Sequence, residues 1–547
     1  MRRSRLRQIA AVAGVIALGL GIGGTPAQAA TFVPLNGDGS SWAQPAIAQW
    51  AKDVTPQGIH ITFAGDGSAQ GRQNFISDVD DFAASDIAFL TTADPFGGGV
   101  ERPQQAFSYI PIVAGGTTFM YNLTVAGKKI TNLRLSGDTV TKIFTGQITN
   151  WSDPRITHDY GAPLPSEPIV VVTRADGSGA TYQFTRWMSK QFAPQWNAFC
   201  AAHGGPGGGC PPTEFYPSYG GAIQKDGSDQ VAAFIASNAG EGAIGYDEYA
   251  YALNDGVPVV KLLNQAGYYS LPTPSNVAIA LQTAQIDDNI NDVNFMIQDL
   301  DDVYTNGDKR AYPLSSYSYL IVPRDSRPGF LGPPAGFSTD KGATLSTWLN
   351  YVLCGAQKTA GSLGYSPLPK NLVVGGFEQD AHIPGAVPTP DLNQLSNCDN
   401  PTYSDGVNHL IVDAPQPSPC DYVTAPLNCT VVNGKATSTG ASGGGPSGGS
   451  GGGAAGSGGG AGGAGGAGGG PNGATVNANQ TIDPNTGQVI GGSGGSGDGV
   501  PTAVPVAMST RPEQEWLLSG LTAAELVGAV AVPSVFGLWL ARRRKRG

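Results

Sequence analysis

Charge is sparse in this chain, with only 13% of its 547 residues being Asp, Glu, Lys or Arg. Histidine is rarer still. The five histidines are scattered and the six cysteines lack the paired short spacing of a zinc site, so no metal and no cofactor is expected. No cysteine precedes Cys200, which leaves no lipid-attachment thiol near the N-terminus. Basic residues are also in deficit. Arg2, Arg3, Arg5 and Arg7 open the chain and Arg542, Arg543, Arg544, Lys545 and Arg546 close it, which leaves 22 Lys and Arg against 42 acids, or −20, over residues 30–541. That balance argues against a nucleic-acid partner. Any anion bound here must be held by local donors rather than drawn in by a long-range field.

What is present begins with the two ends. The first Arg cluster is followed by an apolar run from Ile9 to Ile22 and by Ala27-Gln-Ala29, so residues 1–29 read as a signal peptide. The Arg2-Arg3 pair raises a twin-arginine route, which the following residues fit poorly. Trp516–Leu540 is mostly apolar and runs directly into the basic residues, so 516–541 is expected to be a C-terminal transmembrane anchor with 542–547 as a cytoplasmic tail. Glu525 and Pro533 interrupt a span that needs roughly 20 apolar residues. The layout is like a cell-wall sorting signal, but no Leu-Pro-x-Thr-Gly precedes it. Residues 437–515, with a Gly/Ser tract from Thr437 to Gly499, read as a disordered tether with a reach of about 40–50 Å. These features place the protein outside the cell membrane, held to it by the C-terminal helix.

Six cysteines in an exported chain favour disulfides. Cys200 and Cys210 bracket a Gly-rich insertion and are expected to pair. The connectivity of Cys354, Cys398, Cys420 and Cys429 is left open, and residues 376–436 read as a Cys-containing extension.

Between these ends, strand-like and helix-like runs alternate, which predicts an α/β fold. The most informative segment is Arg174-Ala-Asp-Gly-Ser-Gly-Ala-Thr181, set between the strand-like Pro168–Thr173 and the helix-like Tyr182–Lys190. A strand, a short Gly/Ser loop and a helix start make an anion cradle, because unpaired backbone N–H groups and the helix dipole point outward there. Arg174 adds a forked, permanent charge suited to phosphate or carboxylate oxygens. Two more such cradles are Leu35-Asn-Gly-Asp-Gly-Ser-Ser-Trp-Ala-Gln-Pro45 and Ile61-Thr-Phe-Ala-Gly-Asp-Gly-Ser-Ala-Gln-Gly71, the latter followed by Asp81-Phe-Ala-Ala-Ser-Asp86. Asp176 either braces Arg174 or forms an Asx turn before Gly177.

With Ile143–Trp151, Gly242–Tyr246, Tyr312–Tyr319 and Leu363–Pro369, these motifs make the chain resemble the periplasmic phosphate-binding protein family, the substrate-binding component of the high-affinity phosphate ABC transporter. The resemblance implies a two-lobed, type II periplasmic-binding-protein fold over residues 30–375. Lobe I would comprise about 31–115 and 313–375 and lobe II about 116–312, with the ligand between them and a hinge motion that closes on it. It also implies a phosphate site. Ser41 and the Trp42 backbone N–H would donate from the first loop and Ser68 from the second, Asp86 would accept the ligand's proton, and Arg174, Ser178, Gly179 and Ala180 would complete the cage. A carboxylate facing sulfate, which has no proton to give, would be a buried repulsion, so Asp86 would set selectivity.

Four residues depart from the family pattern. Ala180 lacks the hydroxyl usual there, with Thr181 next door, Asp66 brings an extra carboxylate close to the expected anion, and Ala69 and Gln70 replace the small polar and Gly residues more usual after Ser68.

The implied partners are inorganic phosphate, an ABC permease and the membrane, and the chain is expected to be a monomer. A surface-displayed phosphate sensor, reservoir or adhesin with the same fold is the alternative. An enzyme, such as a phosphatase or esterase, is disfavoured. No Gly-x-Ser-x-Gly elbow stands between a strand and a helix, residues 65–72 lack the spacing and Lys of a nucleotide P-loop, and no His lies in a recognisable partner motif for Ser178.

Overall fold

A computed structural model describes residues 32–438 and two short strands at 481–482 and 489–490. The expected signal peptide, most of the tether and the expected transmembrane anchor lie outside the described residues. Among the described residues, no helix is long and apolar enough to cross a membrane.

The cradles fold as alternating strands and helices. The first two give β1 (Leu35–Gly39) leading to α1 (Gln44–Val54) and β2 (Ile61–Ala64) leading to α2 (Ser68–Ile76). Pro45 sits in the first turn of α1, where a missing N–H costs nothing. The run after α2 becomes the fully buried strand β3 (Phe82–Ser85). β4 (Phe107–Asn122) is 16 residues long and buried throughout. The Arg174 loop joins β5 (Val170–Arg174) to α3 (Gly179–Gln191), and a further pair follows as β6 (Ala222–Lys225) and α4 (Gly227–Ala236). After these come β7 (Ala243–Glu248), α5 (Tyr249–Asp255), β8 (Ser315–Pro323), α6 (Thr339–Leu353) and α7 (Lys370–Asp380).

Eight strands form one sheet in the order β2-β1-β3-β8-β4-β7-β5-β6. β4 changes partner along its length: Phe107–Gly116 lies against β8, and Thr117–Asn122 lies against β7. The change occurs at two glycines. A Cβ at Gly115 would fall 2.6 Å from the Trp42 ring, and one at Gly116 would fall 2.5 Å from Pro272, so side chains there would push these groups apart. β7 ends beside this crossing, with Glu248 opposite Thr117, and Asp86, just after β3, is close enough for its charge to act on Glu248.

Each half of the sheet has its own aromatic core. Phe75, Phe89, Phe107 and Tyr109 pack on the β3 side, with Phe89 and Phe107 centroids 4.8 Å apart. Phe119, Phe144, Phe184 and Tyr246 pack on the β7 side, with Phe184 5.0 Å from both Phe144 and Tyr246. Truncating so buried a ring to Ala typically costs about 3–5 kcal/mol.

The expected boundary at 375 falls inside α7, so the helix joins the core to the segment beyond it without a break. Cys200 pairs with Cys210 as expected, and the remaining cysteines pair as Cys354–Cys398 and Cys420–Cys429. The extension lies along the core. Asn400 Nδ2 and Thr402 Oγ1 donate to Leu368 O at 3.0 and 2.8 Å. Further on, Arg310 Nη1 donates to Ile411 O, Lys261 Nζ pairs with Asp421 at 2.7 Å, Val423 N donates to Gly267 O and Arg134 Nη2 donates to Ala425 O.

Candidate functional site

The same tripeptide builds the site four times. Asp38-Gly39-Ser40, Asp66-Gly67-Ser68, Asp176-Gly177-Ser178 and Asp226-Gly227-Ser228 each link a strand to the helix that follows it. The turns converge on one another. Ala69 N donates to Gly177 O at 3.0 Å, and Ser41 Oγ donates to Ser228 Oγ at 3.0 Å. Gly67 takes φ +102°, where only glycine is at ease, and a Cβ there would fall 2.4 Å from Asp176 Oδ2. Two halves of the sheet therefore meet through the backbone of their turns.

Asp86 stands at the end of β3, 2% exposed, and three hydroxyls converge on it. Ser40 Oγ donates to Oδ1 at 2.8 Å, Ser318 Oγ to Oδ1 at 2.7 Å and Ser68 Oγ to Oδ2 at 3.2 Å. Burial pushes the Asp86 carboxyl up, against the pull of those three hydroxyls and of Arg174. Facing it is the start of α3. A Cβ at Gly179 would fall 2.5 Å from Asp86 Oδ2 and 2.7 Å from Ser68 Oγ, so the absence of a side chain lets the helix terminus approach the carboxylate. Ser178 Oγ caps α3 by accepting from Thr181 N. The N–H groups of Gly179 and Ala180 precede the first intrahelical bond and point out of the helix end.

Arg174 closes the other side, also 2% exposed. Its Nε donates to Asp176 Oδ1 at 2.7 Å and its Nη2 to Asp176 Oδ2, while Nη1 donates to Ser228 Oγ at 3.1 Å. Asp176 Oδ1 also accepts from Gly227 N at 3.0 Å, so of the two readings of Asp176 the structure realises the brace. Burial alone would lower the Arg174 pKa. The Asp176 carboxylate, by charge and hydrogen bond, and then Asp247 together more than offset it, so the pKa is raised.

The remaining expected residues sit as follows. Trp42 buries its ring, donates from Nε1 to Thr117 Oγ1 at 3.2 Å and gives its carbonyl to the Tyr365 hydroxyl. Ser41 lies in the site with its hydroxyl on Ser228. Ala180 is buried in the first turn of α3, and Thr181 does not replace the missing hydroxyl, because its Oγ1 is 2.6 Å from Tyr246 OH. Asp66 differs from expectation. It is exposed, and the buried acid of its loop neighbourhood is Asp38, which burial and Asp66 push up to about 6. All four Asp-Gly-Ser turns bury their Ser, whereas the Asp of the turn is buried at Asp38 and exposed at Asp66.

Several participants escaped the sequence reading. Ser40, Ser318 and Ser228 carry hydroxyls into the site, and the repeated Asp-Gly-Ser was the available signal for the first and third. Arg72 is another. Fully buried, it donates from Nε to Glu101, from Nη1 to Ser85 Oγ at 3.0 Å and from Nη2 to Glu214 at 2.6 Å. Glu214 O in turn accepts from Ser178 N at 2.9 Å, so this ion cluster fixes the cap of α3 relative to β3.

Buried donors at a helix start, a braced arginine and a hydroxyl-bound carboxylate, all held between two halves of an α/β sheet, define an anion-binding protein. Residues 24–356 match the family model described as a PBP superfamily domain. The chain is 32% identical over 255 residues to the phosphate-binding protein PstS of Pasteurella multocida, covering 46% of this chain and 67% of that protein. It is 29% identical over 346 residues to the phosphate-binding protein PstS of Xylella fastidiosa, covering 62% and 83%. The chain therefore belongs to the PBP superfamily and, within it, to the PstS family. A structure of a high-affinity periplasmic phosphate-binding protein, PfluDING, bound with phosphate aligns with 67% of this chain and 99% of its own, at 18% identity and a TM-score of 0.46.

Proposed function

We propose that this protein captures inorganic phosphate outside the cell for uptake by an ABC permease. The observation that carries the reading is Asp86, a buried carboxylate facing the Arg174 turn and the start of α3. Hydrogen phosphate can satisfy both sides at once. Its charged oxygens would take Arg174, the Ser41, Ser68 and Ser178 hydroxyls and the N–H groups of Trp42, Gly179 and Ala180. Its proton would go to Asp86. A carboxylate has about four acceptor positions, so Asp86 can take that proton while Ser40 and Ser318 stay bound and Ser68 turns to the ligand. Sulfate offers no proton and would face a buried negative charge.

Asp176 would hold the guanidinium flat for two-point contact. Lobes of about 31–115 with 313–375 and about 116–312 would hinge at the glycines of β4. The bound anion would favour closure because it contacts turns from both. Named relatives that are phosphate-binding proteins support the reading, and binding without catalysis accords with Ser178 Oγ serving as a helix cap. Export, anchoring through 516–541 and a monomeric state complete the proposal.

Titration calorimetry of the full-length chain with phosphate and with sulfate tests it. Saturable heat with phosphate and none with sulfate is expected. Equal affinity for both, or for neither, would overturn it.

A further inference from the structure

Behind the cradle, at the end of β7, lie two more buried carboxyls, Asp247 and Glu248, 1% and 0% exposed. Asp247 Oδ1 accepts from Glu248 N at 2.8 Å, while Asp247 Oδ2 and both carboxyl oxygens of Glu248 meet no well-aligned hydrogen-bond donor among the described residues, Ser228 and the Tyr249 and Ala250 N–H groups being close but poorly directed. Orphaned buried carboxyl oxygens are costly and rare, so they call for a functional account.

Strand register places Asp247 at the site. β7 and β5 run parallel with Gly245 beside Val172, and two residues further on, pointing to the same face, stand Asp247 and Arg174. Ser228, which accepts from both Arg174 and Ser41, adjoins Asp247 as well. We propose that Asp247 is a proton-linked member of the anion site, taking up a proton from solvent when an incoming oxyanion neutralises Arg174. This inference rests on the phosphate reading of that site.

The charges around Asp247 set the direction. Arg174 on β5 favours its ionised form. Burial opposes ionisation, as does Asp229 on α4, whereas the Glu248 N–H and Ser228 favour it, and Tyr251 on α5 and Tyr365 face it as neutral phenols. Without a ligand, burial pushes the Asp247 carboxyl up to about 8 even with Arg174 beside it. An anion on Arg174 cancels the one favourable charge, so the carboxyl rises further in the loaded state. A group whose affinity for protons rises on binding takes up protons above its ligand-free pKa, and ligand affinity falls as pH increases there. Below that range Asp247 is already neutral and uptake vanishes. Burial, and then Asp247 and Asp86, push the Glu248 carboxyl well above the usual carboxylate range.

The test is phosphate titration calorimetry of the full-length chain at pH 8.5, where phosphate is already the dianion, in buffers of different ionisation enthalpy. Expected are uptake of a substantial fraction of one proton by the wild type and by Glu248→Gln, and none by Asp247→Asn. Wild-type affinity should fall by up to about tenfold per pH unit above pH 8, with a flat profile in Asp247→Asn. Phosphate binding with no proton uptake by the wild type overturns the proposal, as does equal uptake by wild type and Asp247→Asn. Absence of phosphate binding altogether overturns this proposal and the function together.

Discussion

Arg174 and Asp176, two residues apart on one turn, face each other edge to edge: Nε donates to Oδ1 at 2.7 Å and Nη2 to Oδ2. That leaves the opposite edge, Nη1 with its bond to Ser228 and the second hydrogen of Nη2, for the proposed contact with the anion. A lysine has no second edge. Arg174→Lys keeps the charge but loses the braced fork, and calorimetry should read a loss of phosphate affinity of about tenfold to a hundredfold.

Selectivity should follow Asp86. Asp86→Asn replaces one acceptor oxygen with a donor in front of the α3 terminus and removes the charge proposed to exclude sulfate. The ratio of phosphate to sulfate affinity should shrink by at least about tenfold, a change worth about 1.4 kcal/mol. An unchanged ratio would remove Asp86 from the selectivity account.

Asp380 gives a pH dependence of stability. It is buried at the end of α7, where a negative charge also opposes the helix dipole, and its one hydroxyl partner is Ser346 at 2.9 Å. Burial pushes it up to about 7. Because this pKa is raised on folding, its contribution is full below the unfolded value near 4 and is lost as pH rises through 7. Chemical denaturation of Asp380→Asn should lack that decline, a difference of up to about 4 kcal/mol by pH 8.

The Cys354–Cys398 disulfide ties α6 to the extension across 44 residues. Cys354→Ser, or reduction of the wild type, should lower stability by about 2–4 kcal/mol in thermal or denaturant unfolding while phosphate still binds.

Legibility in the sequence followed the range of the interactions. The strand–loop–helix units were readable, since a Gly/Ser turn between an apolar run and an amphipathic one is a local signal. Arg174 stood out in that pattern, while Ser178, Ser68 and Asp86 could be named in advance only through the family resemblance. Ser318 could not, because it reaches Asp86 only after β8 is laid beside β3, 232 residues away in sequence. Arg72 and Glu214 are likewise 142 residues apart and carry no motif. Asp66 misled because turn chemistry does not say whether the Asp of such a turn is buried, as Asp38 is, or exposed, as Asp66 is. Ser228 is a different case: its Asp-Gly-Ser repeats the other three, and an internal comparison would have found it.

The extension has a mechanical consequence. It is fastened near Leu368 beside α6 and again at Gly267, Lys261 and Arg134, on the far side of the crossing between β4 and β8. If the two halves of the sheet hinge as proposed, a swing of one against the other would shear this belt, which would then act as a travel stop. Scattering measurements should accordingly record only a small contraction when phosphate is added, growing larger once the Cys354–Cys398 buckle is cut. A receptor limited in this way spends less of its binding energy on closing, and gives up reach for readiness.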